Sequence, residues 1–194
     1  MTKTVLNPFE NFTEIKLLLV SLFGFLLAWL ATYYSDTMLL GSLKVINVKP
    51  KEWYIALYNL SITIVINTLT LYFFALLRYR KTRLIDVFNA VGIAHLAMYL
   101  LLVVSAIPSV TDFLKSMEFL VLDHMDNPAS LPKDKILLML VFGVFSIGCL
   151  VLFFTILVKG MKIAINSKKG SDTIAIVLLI LIWNTVLQFL NIYQ

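Results

Sequence analysis

Five stretches of this 194-residue chain, 17–34, 53–77, 87–107, 136–158 and 173–192, contain no Asp, Glu, Lys or Arg. Each is close to the ~20 residues that a helix needs to cross a ~30 Å hydrocarbon core at ~1.5 Å per residue. Lipid offers no partner for backbone N–H and C=O groups, so helix is the form that can cross; a continuous apolar run such as 136–158 also lacks the alternation of a barrel strand. Composition agrees, with 60% of residues hydrophobic and 14% charged and a mean hydropathy of +0.92. Those values exclude a water-soluble globule and a disordered chain, and a single cysteine, Cys149, excludes an internally disulfide-stapled domain. The predicted fold class is an all-α integral membrane protein: one domain, 1–194, built as a bundle of five transmembrane helices.

Lys and Arg set the expected orientation. With the N-terminus on one side, that side carries Lys3, Lys16, Arg78, Arg80, Lys81, Arg83, Lys159, Lys162, Lys168 and Lys169; the other carries Lys44, Lys49, Lys51, Lys115, Lys133 and Lys135. The richer side is expected to be cytoplasmic, which places the N-terminus inside and the C-terminal Gln194 outside. Tyr33, Tyr34, Trp53 and Tyr54 form an interfacial belt on the outer side. The first window is read as a retained span, because Glu10 and Glu14 interrupt a basic leader and no small-x-small cleavage site precedes Ser35.

The longest connection is 108–135. Ser109 with Asp112 resembles a capping box, and Phe113, Leu114, Met117, Leu120 and Val121 recur at helical spacing. A short helix on the outer surface is expected, ended by Asp123, Asp126, Asn127-Pro128 and Leu131-Pro132. An irregular loop packed on the bundle is the alternative.

Polar groups at membrane depth are expensive, so they serve as interhelical glue or as a pathway. On the third window Asp86, Asn89, Gly92, His95 and Tyr99 step by three or four residues along one broad stripe. Asn59 and Asn67 on the second window and Asn184 with Gln188 on the fifth are candidates to meet it. Glue is the favoured role, because a coupled pathway pairs intramembrane charges and only Asp86, at a helix edge, is available. Asp86 is expected to pair with the basic loop and to favour the helix start. The two basic loops, with Arg78, Arg80, Lys81 and Arg83 and with Lys159, Lys162, Lys168 and Lys169, are candidates to contact anionic lipid headgroups or a protein partner. Two histidines at different depths, no H-E-x-x-H or C-x-x-C spacing and no phosphate-binding glycine loop argue against catalysis, a metal or another cofactor. Cys149 reads as a small packing residue near Gly143 and Gly148.

Three stretches carry a likeness to a known family: Asn7-Pro8-Phe9-Glu10-Asn11-Phe12 before the first window, Lys81-Thr82-Arg83-Leu84-Ile85-Asp86-Val87-Phe88-Asn89 opening the third, with Tyr99-Leu100-Leu101 beyond it, and Lys159-Gly160-Met161-Lys162 after the fourth. The chain resembles the Yip domain family of five-span membrane proteins, in particular its small bacterial, Bacteroidetes-type members. The resemblance implies five helices with the N-terminus inside, and no catalytic residues. Eukaryotic members associate with Rab-type GTPases through a long cytosolic N-terminal region; only 16 residues precede the first window here, so that partner is not carried over. The expectation is a non-enzymatic scaffold, adaptor or membrane-organising protein of the bacterial inner membrane. Its partners would be lipid, other membrane proteins or a second copy, and not nucleic acid. The rival is a small-solute or ion transport component using Asn59, Asn67, Asn89, His95, Asn184 and Gln188.

Overall fold

The computed structural model describes residues 8–48, 52–125, 132–190 and 192–193. Lys3, Asn7, Lys49, Lys51, Asp126, Asn127-Pro128, Leu131 and Gln194, used in the expectations above, lie outside them. The described chain runs through a 3-10 turn, Pro8–Glu10, then α1 (Glu14–Tyr34), β1 (Met38–Leu40), β2 (Lys44–Ile46), α2 (Trp53–Arg78), α3 (Leu84–Ser105), α4 (Pro108–Asp123), α5 (Lys133–Ala164) and α6 (Gly170–Phe189). Five of these helices, all but α4, are long and apolar enough to cross a membrane. The protein is an all-α multi-pass membrane protein.

Helix ends depart from the charge-free windows because a helix continues until its backbone is capped, not until the first charge. Thus α3 begins at Leu84 and stops at Ser105, where 87–107 was expected, and α6 ends at Phe189 rather than at 192. The largest departure is α5, 32 residues and so about 48 Å long, which carries Lys133 and Lys135 beyond one side of a ~30 Å core and Lys159 and Lys162 beyond the other.

The core is organised around α3. In its most apolar window 72% of residues are buried, against 11% in that of α5; α3 packs most extensively on α5 and then on α1. Small residues allow the close approach: a Cβ on Gly92 would strike the Ser21 side chain of α1, and one on Gly160 of α5 would lie 2.7 Å from the Ala90 Cβ. Along α5, side chains such as Leu137, Leu140, Val144 and Val151 face outward, as lipid-facing positions do.

The connection from α1 to α2, whose lysines were expected on the outer side, contains an antiparallel hairpin pairing Met38 with Ile46, Leu39 with Val45 and Leu40 with Lys44. Its turn is buried: Ser42 is 0% exposed and bonds to residues at the middle of α2 and α3. The hairpin is therefore re-entrant. Backbone that is not helical is tolerated at that depth only where protein encloses it and completes its hydrogen bonds. Gly41 makes the turn possible with φ of 67°, and a Cβ there would collide with Asn184 Oδ1.

Helix α4 confirms the expected helix in the long connection, with two corrections. It starts at Pro108 with Ile107 as N-cap, and Ser109 makes no capping bond; proline suits that first position because it lacks the N–H that would go unpaired. Thr111 and Met117 face inward, and Lys115 Nζ reaches Asp36 Oδ2 at 2.6 Å, fastening α4 beside the hairpin. At the same end Trp29 Nε1 donates to the Trp53 carbonyl at 3.2 Å, and Tyr33, Tyr34, Trp53 and Tyr54 are exposed, as the belt requires.

Candidate functional site

The expected polar stripe on α3 does not form one path. Each step of three residues turns about 60° around the helix, so the members drift through about half a turn between Asp86 and His95, and on a helix that has neighbours on several sides they serve different interfaces. Gly92 faces Ser21 of α1; Tyr99 sits edge-on to Phe25 of α1; His95 turns to the hairpin, with its ring edge-on to Phe153 of α5. Asn89 lies near the other end and donates from Nδ2 to the Glu14 carbonyl at 3.3 Å.

At mid-depth, His95, Asn67 and Asn184 converge on one residue absent from the expected set, Ser42. A carbonyl only accepts, so His95 Nδ1, 2.7 Å from the Val91 carbonyl, carries the proton, and Nε2 accepts from Ser42 Oγ at 3.0 Å. Asn67 Nδ2 donates to the same Oγ at 2.5 Å. The Ser42 N–H donates to Asn184 Oδ1 at 2.6 Å, and Asn184 Nδ2 returns to the Ile180 carbonyl at 2.9 Å. Asn59 donates to Met38 Sδ at 3.0 Å, one strand away, and half-buried Gln188 takes no part in this network. The Ser–His pairing was not legible in sequence, because 53 residues separate its members. It includes no carboxylate, and none of the four cavities described is lined by Ser42 or His95. Chemically it is a lock that supplies the hydrogen bonds of a buried turn.

The basic end of the bundle is different. A cavity of about 650 Å³ opens there, lined by Phe9, Phe12, Glu14, Arg83, Asp86, Asn89 and Gly160 among others. All of these residues except Glu14 come from the three separate stretches 7–12, 81–89 and 159–162. The 3-10 turn aims Phe9 at Gly160, where a side chain would meet its ring at 2.7 Å. Arg83 donates from Nε and Nη2 to Asp86 at 3.0 and 2.7 Å, and from Nη2 to Glu14. The hydrogen bonds to Asp86 and then to Glu14 raise the guanidinium pKa above its ordinary value, so Arg83 stays charged throughout the accessible pH range. Asp86 thus pairs with the basic loop as expected. Asn89 is 2% exposed, and its Oδ1 has no hydrogen-bond partner among the described residues.

The eight candidate cations divide by environment. Arg78 Nε lies 3.1 Å from Oδ1 of the buried Asp172, an ion contact without hydrogen-bond geometry, while Asp172 Oδ2 accepts from Ser167 at 2.6 Å. Arg83 is held as described, and Lys162 approaches Thr173 Oγ1 at 3.4 Å. Lys159 is half-buried. Arg80, Lys81, Lys168 and Lys169 are exposed and make no ion pair among the described residues. Asp172 was not a candidate in the sequence; its only signal is an acidic residue in the first turn of α6. Replacing Asp172 with Ala is expected to cost about 1–3 kcal/mol, through the orphaned Ser167 bond and the freed end of α2. Chemical or thermal unfolding in detergent measures it, and a cost within error of zero would make the pair incidental.

No family model matches the chain, and no curated protein or solved structure matches it significantly. Among the described residues no group of three or more His, Cys, Asp or Glu is placed to hold a metal ion.

Proposed function

We propose that the protein is a non-enzymatic scaffold or membrane-organising factor of a bacterial inner membrane, with the basic end cytoplasmic, and that it is a Yip-like protein. The observation that carries this reading is the gathering, at one end, of four exposed cations without ion pairs among the described residues, Arg80, Lys81, Lys168 and Lys169, with the three stretches that bear the family likeness. Each exposed cation near an anionic leaflet contributes about 1 kcal/mol of attraction. Arg78 and Arg83 belong to a different category: their charges tie α2 to α6 and α1 to α3. The transport reading draws less support, since Asn67, His95 and Asn184 are engaged by the hairpin turn.

The test changes Arg80, Lys81, Lys168 and Lys169 to Gln together and leaves Arg78 and Arg83 alone. Proteins and lipids co-purifying in mild detergent are then identified for both forms. The expected result is a several-fold loss of anionic lipid, or of a defined acidic partner, at unchanged thermal stability. Identical lipid and protein content, together with solute flux in reconstituted vesicles, would overturn the reading in favour of transport.

A further inference from the structure

The cavity at the basic end does not stop at its polar wall. It shares Phe12 and Leu17 with a second cavity of about 580 Å³, a groove between α1, α3 and α5 lined by side chains such as Val20, Ile93, Leu96, Leu100 and Ile156. On α3 the two together reach from Asp86 to Leu100, fourteen residues, or about 21 Å at 1.5 Å per residue. That is close to one leaflet with its headgroup region, half of the ~40–45 Å thickness of a whole bilayer. A polar chamber at the membrane surface adjoining an apolar groove, the two together one leaflet deep, has the shape of a phospholipid.

The polar groups indicate which phospholipid. Glu14 and Asp86 share a single guanidinium, Arg83, so this trio carries one net negative charge. Beside them are Asn89 Oδ1, an acceptor without a partner among the described residues, and the rings of Phe9 and Phe12. A carboxylate excess, a free acceptor and aromatic rings all favour a cation able to donate hydrogen bonds. Lys16, exposed and without an ion-pair partner among the described residues, lines the apolar groove and is available to a phosphate. A purely anionic headgroup would meet Glu14 and Asp86 with like charge, and a quaternary ammonium has no proton to give Asn89. We infer that this site binds a zwitterionic phospholipid bearing a primary ammonium: the ammonium at Asn89, Asp86 and Glu14, the phosphate at Lys16, and one acyl chain along Leu96 and Leu100.

This inference is independent of the scaffold reading, because none of Arg80, Lys81, Lys168 and Lys169 lines either cavity. The experiment is native mass spectrometry of the full chain in detergent, titrated separately with dioleoyl phosphatidylethanolamine, phosphatidylglycerol, phosphatidylcholine and the soluble headgroup O-phosphoethanolamine. Phosphatidylethanolamine is expected to bind roughly tenfold more tightly than the other two lipids, the effect of about one charge-assisted hydrogen bond, and the soluble headgroup far more weakly. Asn89→Leu should abolish the preference among headgroups. Leu100→Trp, which obstructs the groove from a lipid-facing position, should weaken all three lipids while leaving the preference intact. The form lacking the four exposed cations should keep the preference. Equal binding of the three lipids, a preference for phosphatidylglycerol, soluble headgroup bound as tightly as lipid, or full retention by a folded Leu100→Trp variant would each overturn the assignment.

Discussion

Replacing Asn184 with Leu is expected to loosen the re-entrant hairpin and to destabilise the protein by about 1–3 kcal/mol, the cost of a buried donor left without its acceptor. The donor is the Ser42 backbone N–H, which cannot move to water while the turn is inside the bundle. His95→Leu strips the acceptor from Ser42 Oγ–H and is expected to cost a similar amount. The double variant should cost less than the sum, because once the turn is free one opening relieves both unpaired groups. A cysteine at Leu43, in a Cys149→Ala background, reports the turn directly. Each 1.4 kcal/mol of lost stability should raise its labelling rate about tenfold if labelling proceeds through local opening. Unchanged labelling in both single variants would show that strand pairing and side-chain packing hold the hairpin without the polar network. Loss of solute flux at undiminished stability would instead revive His95 as part of a conduit.

A second large effect is expected at Gly160. Any Cβ there meets Ala90 on α3 and the ring of Phe9, both at 2.7 Å. The Ala90 neighbour sits on a buried helix and cannot yield without moving α3 against α5, the most extensive interface in the bundle. Gly160→Leu should therefore cost at least the ~1–3 kcal/mol typical of overpacking, and expel Phe9 so that the 3-10 turn leaves the cavity wall. Gly143→Ala and Gly148→Ala on the same helix are controls, since nothing lies within 4 Å of a Cβ at either. They should be neutral or gain slightly from better helix propensity. Thermal unfolding together with proteolysis near Phe12 separates the outcomes. Equal stability of all three variants would mean that α5 shifts freely on α3.

How far the sequence can be read differs between the two regions just perturbed. The pairing of Asp86 with Arg83 was legible because it is local, three residues along one helix, and obeys the same rule in any fold. Asn67 and Asn184 were legible as expensive polar groups needing partners. What those partners were was not legible: Met38-Leu39-Leu40 and Lys44-Val45-Ile46 are short runs around Gly-Ser that could equally lie on the surface, and no local rule folds them inward. Of the basic residues, Arg78 and Arg80 look alike two positions apart, yet one meets Asp172, which is 94 residues away, and the other meets solvent.

The division has a physical origin. Transfer from water to lipid depends on the composition of about 20 consecutive residues, so the number of crossings and the helical form are properties of segments and can be summed along a chain. Interhelical choices depend on which faces meet once those segments are side by side, and lipid is as apolar as leucine, so hydrophobicity does not discriminate among them. Small residues and polar bonds do: Gly160 admits Phe9 and Ala90, and the Asn67, His95 and Asn184 trio admits Ser42. Five crossings follow from segments read one at a time, whereas the sealed turn at mid-depth exists only when four distant stretches are assembled together, and the chamber beside Asn89 only when three are.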